Sequence, residues 1–534
     1  MATTITKKGA ASEKGTLPTV REWTWILLFI ATLFVFDLLT YNLYPAVWCD
    51  EVLFSEPAVN RVQHSSFTTT VWEFQPGNTF PVVNCPLYSM ALVPWLSTTG
   101  TSLLAIRSFN YALMALASVL IWLVTWRFEL VNNASARILM VSLLHFGYGM
   151  SYAFRCSRPD ILALNCLLLL LLSFKIDRSL LRYGIVFVCS AVSVWIGLQV
   201  TLYACIACTA AWVLFRRPRP GELAFIAGGI AAGALSLLIF LKMKGVLSYF
   251  LPIVVGMMGR HYAHSPHTAF SVALLKTVRQ TLTSYLGDFT TVLLGLGVIV
   301  TIGVARGRFR SPAVSVMRFC LFLMITVPAA FNIVGHYAFY YSYMLFVPAI
   351  LALFTAYSEL PTILEPKFQR QLKSFILAIM IIGTLVGLPL RLAITLVTCR
   401  LAPHAEIQRI IDGCITSKDV VFSDYAPFFE VKTAANVVYA PYYSSALVTT
   451  HIAGHDFTPE EKQSISALII RPEQSDYLTN FFGGRWEPVT ERFGDVQDFR
   501  QLTQLPLVGR RLAHYATQPQ TERYQVQIFR RLTD

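Results

Sequence analysis

Charged residues are scarce in this sequence. Asp, Glu, Lys and Arg make up 14% of its 534 residues, whereas hydrophobic residues make up 55%. A typical soluble domain carries about a quarter charged residues. The mean hydropathy of +0.55 likewise excludes an ordinary soluble enzyme, and the composition predicts a polytopic integral membrane protein.

Several motifs are also missing. The ten cysteines contain a single CxxC pair, Cys205 and Cys208, which lies inside an apolar run and has no second pair, so the spacing typical of a zinc site is absent and no metal site is assigned. The region after residue 400 has no glycine-rich phosphate loop, which argues against nucleotide binding there. No repeat recurs at a fixed period, which excludes a solenoid. The net charge of +13 lies in short clusters between apolar runs, a pattern that favours membrane orientation over nucleic-acid binding.

Long apolar runs predict about eleven transmembrane helices. With a cytoplasmic N-terminus, all five inward-facing turns between them are basic, as the positive-inside rule requires. The first run is long enough to span and is interpreted as a signal anchor that is not removed. The runs cover residues 23–44, 103–126, 138–154, 161–174, 183–198, 200–215, 223–241, 286–305, 318–335, 340–357 and 374–397.

Two outward segments are long enough to need a reason. The first loop, 45–102, is rich in aromatic residues and predicts amphipathic helices on the membrane surface. The tail alternates short apolar runs with helical stretches, which is typical of a small α/β domain. The sequence therefore predicts a transmembrane domain over residues 1–399 and an extracytoplasmic α/β domain over 400–534.

Candidate chemistry concentrates at two outward positions. Asp50 and Glu51 follow the first span, where paired carboxylates must face water, a cation or a basic partner. The turn Arg155–Asp160 contains two arginines, and Arg158 precedes Pro159 and Asp160; guanidinium groups bind phosphate oxygens in a bidentate fork. The alternatives are a solvated helix cap at Asp50 and arginines that extend towards lipid headgroups.

Two further segments offer weaker candidates. The 242–285 loop contains Lys242, Arg260 and His261, which suit an anionic substrate, although a plain interfacial loop fits equally well. An aromatic run contains His336, Tyr337 and Tyr343, which suit sugar stacking or simply an aromatic belt. Asp37 and Arg391 lie in predicted spans, either as functional residues or as a structural ion pair.

The ordered motifs on the outward face resemble those of the polytopic GT-C glycosyltransferases, in particular the protein O-mannosyltransferase-like and aminoarabinose-transferase-like enzymes. The motifs are Asp50-Glu51, the Asn84–Tyr88 element, Arg107 at the start of the second span, and the Arg155–Pro159 turn. The topology and the tail domain match as well. Ser342-Tyr343 stands where relatives often carry an Arg-Tyr pair.

The resemblance implies a glycosyltransferase that uses a polyprenyl-phosphate sugar as donor and inverts the anomeric carbon. Asp50 would be the general base, assisted by Glu51, with Asp160 as the alternate. The donor phosphate would be bound by Arg155, Arg158, Lys242, Arg260 and His261, and substrate by Tyr88, His336, Tyr337 and Tyr343. No cofactor is assigned, and a divalent cation is left open.

The resemblance also implies partners and location. The partners would be the polyprenyl-phosphate-linked donor, membrane lipids and a glycan, lipid or protein acceptor, with no nucleic acid. The protein would be a multi-pass protein of a bacterial inner (plasma) membrane, with a cytoplasmic N-terminus. The competing functions are a transporter or flippase for a lipid-linked sugar or small molecule, and a non-catalytic subunit; paired halves and broken helices typical of transporters are not evident.

Overall fold

The structure is a computed structural model. It describes residues 20–72, 75–82, 86–131, 134–215, 218–252, 275, 278–279, 282–283, 289–305, 312–334, 339–359, 366–444, 447, 456–504 and 522–532. Fifteen α-helices within these residues precede the C-terminal domain. They are α1 (Val20–Leu39), α2 (Cys49–His64), α3 (Leu87–Thr99), α4 (Leu103–Arg127), α5 (Ala134–Phe146), α6 (Tyr148–Arg155), α7 (Asp160–Ser173), α8 (Ser179–Ile196), α9 (Leu198–Phe215), α10 (Pro220–Met243), α11 (Phe289–Ala305), α12 (Pro312–Val334), α13 (Tyr343–Glu359), α14 (Pro366–Leu385) and α15 (Leu388–Thr398).

The predicted membrane-spanning bundle is confirmed. Seven helices in the described residues are long and apolar enough to cross a bilayer, counting α14 and α15 as one span, and the bent pair α6–α7 raises the number to eight. Three shorter apolar helices, α5, α11 and α13, account for the remaining runs. Each of the eleven apolar runs of the sequence therefore coincides with apolar helix.

The length of α4 separates the two faces of the bundle. Ser102 caps its N-terminus by accepting a hydrogen bond from the backbone N–H of Ala105 at 3.3 Å. The helix continues for 25 residues, or about 37 Å at 1.5 Å per residue. That length exceeds the hydrocarbon thickness of about 30 Å. Arg107 near its start and Arg127 at its end therefore lie at opposite faces.

The segment 45–102, predicted as the first outer loop with short amphipathic helices, contains α2 and α3, but α2 does not lie open on a membrane surface. Residues Glu51–Asn60 of α2 are all buried. The reason is that apolar side chains of α2 share one core cluster with residues of the C-terminal domain, Phe428 and Ile469 among them. The C-terminal domain therefore covers the helix that begins with the Asp50-Glu51 pair.

The predicted C-terminal α/β domain is also confirmed. Its elements are β1 (Cys399–Arg400), α16 (His404–Cys414), β2 (Val420–Ser423), α17 (Phe428–Ala434), β3 (Val437–Tyr439), α18 (Pro459–Ser464), β4 (Ala467–Ile470), α19 (Ser475–Phe482), β5 (Trp486–Pro488), β6 (Phe493–Gly494), β7 (Val496–Gln497), α20 (Arg500–Thr503) and β8 (Gln525–Arg531). The main sheet has the order β3-β2-β4-β8-β5, with β6 also paired to β8. Strands β2, β3 and β4 are parallel, whereas β8 is antiparallel to β4, β5 and β6. Strand β1 pairs with β7.

Polar contacts join the first outer loop to this domain. The Thr70 hydroxyl lies 2.6 Å from the backbone carbonyl oxygen of Val438 and 2.8 Å from a carboxylate oxygen of Glu56 in α2. The rings of Trp72 and Tyr442 stack with centroids 5.3 Å apart. Loop and domain therefore form one packed unit around α2.

Candidate active site

Glu51 and Arg107 form a buried bidentate ion pair. The Nε and Nη2 atoms of Arg107 donate to the two carboxylate oxygens of Glu51 at 2.7 and 2.6 Å, and both side chains are fully buried. Arg107 also donates to the carbonyl oxygens of Tyr41 and Pro45. Because α4 carries Arg107 and α2 carries Glu51, this pair fixes the first turn of α2 against the bundle.

Arg155, at the end of α6, is enclosed. It forms an ion pair with Asp37 of α1 and donates to the carbonyl oxygens of Tyr44 and Thr40 at 2.9 and 2.6 Å. His145 Nε2 lies 2.8 Å from the second carboxylate oxygen of Asp37. Asp37 therefore pairs with Arg155 and His145. Arg158, the second arginine of the predicted phosphate-binding turn, has a different environment, because it contacts Asp50.

The turn between α6 and α7 is held by residues of α4 and α2. The two helices meet at 109°. Asn110 of α4 donates to the carbonyl oxygens of Cys156 and Arg158 at 2.5 and 3.0 Å. The backbone N–H of Ser157 donates to Glu51 at 3.2 Å. The position of Arg158 is therefore set by the same carboxylate that anchors α2.

Arg158 joins the two remaining candidate acids. It forms an ion pair with Asp50, and its Nε lies 2.8 Å from a carboxylate oxygen of Asp160. The Tyr340 ring lies over the guanidinium, 4.0 Å from centroid to Cζ. The Asp50 side chain is 21% exposed, against 4% for Asp160. The predicted base is thus the more accessible carboxylate of this cluster.

Cys49 lies beside Asp50. Its Sγ atom is 3.7 Å from a carboxylate oxygen of Asp50. Burial raises the pKa of the Cys49 thiol to about 12, although Arg158 acts in the opposite direction, so the thiol stays protonated at neutral pH. A disulfide between Cys49 and Cys85 is a further prediction from the sequence, and Cys85 lies outside the described residues.

A small cavity opens on the other side of Arg158. It is bordered by Arg158 and Asp160 at the turn, by Gln199 at the start of α9, and by Tyr343 at the start of α13. Glycines bring α6 close to α13: a Cβ at Gly147 would lie 2.0 Å from the Phe346 ring. The cavity places a cation, a carboxylate and a tyrosine around one space, and Arg158 is the residue that it shares with the Asp50 ion pair.

Of the other predicted site residues, the structure describes Tyr88 and Lys242. Tyr88 is buried, and its hydroxyl lies 2.7 Å from Ser157 Oγ and 3.0 Å from Asn110 Oδ1, so it supports the turn from behind. Lys242 is exposed in the last turn of α10. Arg260, His261, His336 and Tyr337 lie outside the described residues.

The structure adds residues that sequence reasoning did not single out. Tyr340, in the aromatic run, contacts Arg158, and Asn110, at the start of the second span, fixes the turn; both lie in segments that the sequence marked, but neither was assigned a role of its own. His145 had an available signal, because an ionisable residue inside an apolar run is a functional candidate by default. Within the described residues, no group of three or more His, Cys, Asp or Glu side chains is arranged to hold a metal ion.

Comparisons with known proteins give structural likenesses only. No protein-family model and no curated protein matches the chain. ArnT from Cupriavidus metallidurans in the apo state is similar over 89% of this chain and 98% of its own, with 14% identity and a TM-score of 0.45. The Archaeoglobus fulgidus oligosaccharyltransferase tethered with an acceptor peptide is similar over 84% of this chain and 69% of its own, with 12% identity and a TM-score of 0.48.

A third similar structure is the arabinofuranosyltransferase AftD from Mycobacteria. The likeness covers 96% of this chain and 40% of AftD, with 12% identity and a TM-score of 0.48. With identities below 15%, the activity of this chain has to be inferred from its own residues.

Proposed function

We propose that this chain is a glycosyltransferase that transfers a sugar from a polyprenyl-phosphate donor to an acceptor at the outer face of the membrane, with inversion. Asp50 is the general base, and Arg158 binds the phosphate of the donor. The observation that carries the proposal is the accessible Asp50 carboxylate, which is paired with Arg158 in the segment that follows the first span.

The neighbouring acids suit this division of roles. Glu51 is saturated by Arg107 and by the N–H of Ser157, so it positions the start of α2 and has no part in proton transfer. Asp160 is almost fully buried against Arg158. Asp50 retains exposed surface, which is what a base needs in order to reach the hydroxyl or amine of an acceptor.

Arg158 supplies the second requirement. The leaving group is a lipid phosphate, and its developing charge needs a fixed cation. Arg158 is held by the Tyr340 ring, by Asp160 and by the Asn110-supported turn, so it is preorganised. When a donor phosphate binds, its oxygens would take up the guanidinium donors that face Asp50, and the carboxylate would be released for the acceptor.

The proposed reaction needs no nucleotide, because the leaving group is the polyprenyl phosphate itself. The acceptor oxygen or nitrogen forms a bond to the anomeric carbon from the face opposite the phosphate. The bond from that carbon to the phosphate oxygen breaks, and its electron pair leaves with the polyprenyl phosphate. Asp50 takes the acceptor proton. Attack from the opposite face gives inversion.

The test compares Asp50→Asn with Asp160→Asn. Full-length wild type and both variants are purified from the same membranes, and the co-purified polyprenyl lipids are identified by mass spectrometry. Removing a general base slows turnover by about 10²–10⁴-fold. Asp50→Asn should therefore retain intact sugar-phosphate lipid, whereas wild type carries mainly polyprenyl phosphate, and Asp160→Asn, which keeps the base but loosens Arg158, should have a milder effect than Asp50→Asn.

Two outcomes would change the proposal. If Asp160→Asn accumulates intact donor and Asp50→Asn does not, Asp160 is the base. If neither variant differs from wild type in bound lipid or turnover, the chain is not a glycosyltransferase, and transport of a lipid-linked sugar becomes the function to test.

A further inference from the structure

A second polar recess lies at the membrane face opposite Asp50. It has a volume of about 400 Å³ and lies between the end of α4 and the α7–α8 turn. Three cations border it: Arg127, Lys175 and Arg178. α4 places Arg127 about 30 Å from Arg107 along the helix axis, so the recess cannot be part of the Asp50 site.

The charge of the recess is not balanced. Asp177 is the one carboxylate that borders it. In the part of the chain that the structure describes, none of the three cations lies within 4 Å of a carboxylate. Like charges brought together without a counterion repel each other, so this arrangement favours a bound anion.

Contacts within the protein hold two of the cations of the recess in place, and one wall of the recess is apolar. Arg127 Nη2 donates to the carbonyl oxygen of Lys175 at 3.3 Å, which ties the end of α4 to the α7–α8 turn. The Lys175 ammonium lies 4.9 Å from the centroid of the Phe128 ring. Leu123, Trp126, Leu172 and Ile176 supply the apolar wall. A ligand that fits has a negative head and an apolar body.

We propose that this recess binds the headgroup phosphate of an anionic glycerophospholipid. Basic recesses between transmembrane helices attract such headgroups, and the apolar wall receives the glycerol backbone and the first acyl carbons. A choline headgroup would bring a fourth cation towards Arg127, Lys175 and Arg178 and would be disfavoured. The site is independent of the proposed transferase activity, because no residue of it contacts the Asp50 cluster.

The chain offers a matched control on the same face. The α14–α15 span ends at Thr398, next to β1 of the C-terminal domain. Its other end, with exposed Lys367 and Arg370, therefore lies at the opposite face, as the recess does. Neither residue borders the recess, so this pair has similar charge and depth without a cavity.

The experiment measures lipid retention by native mass spectrometry. Full-length protein is exchanged from nanodiscs of phosphatidylglycerol or phosphatidylcholine into detergent, and bound lipids are counted. Wild type should retain one phosphatidylglycerol at least tenfold more than phosphatidylcholine. The Lys175→Gln/Arg178→Gln double variant should lose this preference, and Lys367→Gln/Arg370→Gln should keep it.

A second variant and a competitor complete the test. Arg127→Gln alone should weaken retention in the same direction, which covers failure of the double variant to fold. Inorganic phosphate at matched ionic strength should not displace the lipid. Equal retention of the two lipids by wild type, unchanged retention in the recess variants, or displacement by inorganic phosphate would each overturn the proposal.

Discussion

Arg155 and Arg158 lie three residues apart in one turn and have opposite environments. Arg155 is fully buried and is surrounded by Asp37 of α1 and by the backbone carbonyls of Thr40 and Tyr44, in the segment that follows α1. Arg158 contacts a carboxylate that is 21% exposed and borders a cavity. Residues whose hydrogen-bonding capacity is satisfied inside the protein stabilise the fold, whereas those that keep an accessible partner are available for a substrate.

Removing an arginine from a closed pair should have the largest effect. Arg107→Ala leaves Glu51 buried without its cation, and breaking a buried ion pair in this way costs about 3–5 kcal/mol. We expect loss of folded protein, measured as the yield of monodisperse full-length chain and its thermal unfolding. Arg61→Ala is the control, because Arg61 lies on α2, the helix that carries Glu51, and is exposed. Normal stability of Arg107→Ala would show that the Glu51 site relaxes or takes up water.

Lysine substitutions in the turn sharpen the contrast between the two arginines. Arg158→Lys keeps the charge but loses the bidentate fork. Hydrogen bonds to charged groups contribute about 1.5–3 kcal/mol each, so donor affinity should fall by roughly 10- to 100-fold while thermal stability changes little. Arg155→Lys should do the reverse.

The measurement is polyprenyl phosphate binding to each full-length variant, together with its unfolding temperature. If Arg158→Lys binds the lipid like wild type, Arg158 has no role in phosphate recognition. If Arg155→Lys is as stable as wild type and loses lipid affinity, the assignment of the two arginines is reversed.

Asp419 extends the comparison to the C-terminal domain and should give the smallest effect. Burial acts to raise the pKa of Asp419, but hydrogen bonds from Arg530, Thr416 and Ser466 outweigh it and lower the pKa below its ordinary value. The native state therefore favours the ionised form. The stability contributed by Asp419 is present above its unfolded pKa of about 3.9 and is lost as the pH falls below that value.

Thermal unfolding of the full chain between pH 6 and pH 3 tests this. Wild type should lose stability more steeply than Asp419→Asn below about pH 4. Asp412→Asn, at an exposed position on α16, should keep the wild-type slope. Parallel curves for wild type and Asp419→Asn would contradict the prediction.

Helices and strands were predictable from the sequence because they depend on local patterns. Each long apolar run coincides with one or two apolar helices. Two short apolar runs of the tail, which end before Asp424 and Arg471, form the parallel strands β2 and β4. The Asp50-Glu51 pair and the Arg155–Asp160 turn were recognised from residue type and order. The ion pairs were not, because Glu51 and Arg107 are 56 residues apart and the sequence does not specify which helices pack together.

The environment of α2 was hidden for the same reason. Its composition is typical of an amphipathic surface helix, and its burial comes from strands encoded far along the chain. Asp37 was flagged as an intramembrane acid, but Arg391 was considered as its partner, whereas the structure pairs it with Arg155 and His145. Arg155 lies on α6, five helices after α1, and the packing of the bundle decides which of such distant residues become partners.

The contact between Thr70 and Val438 spans 368 positions, and this has a consequence for biosynthesis. Ribosomes add about 5–20 residues per second, so the outer loop is made roughly 20–70 s before the strand that covers it. During that interval the apolar side chains of α2, and the first turn of α2 with Asp50, are not yet covered by the C-terminal domain. The proposed active site is therefore among the first parts of the protein to be made and among the last to mature, so a nascent chain that stalls before residue 438 should remain inactive and vulnerable to proteases.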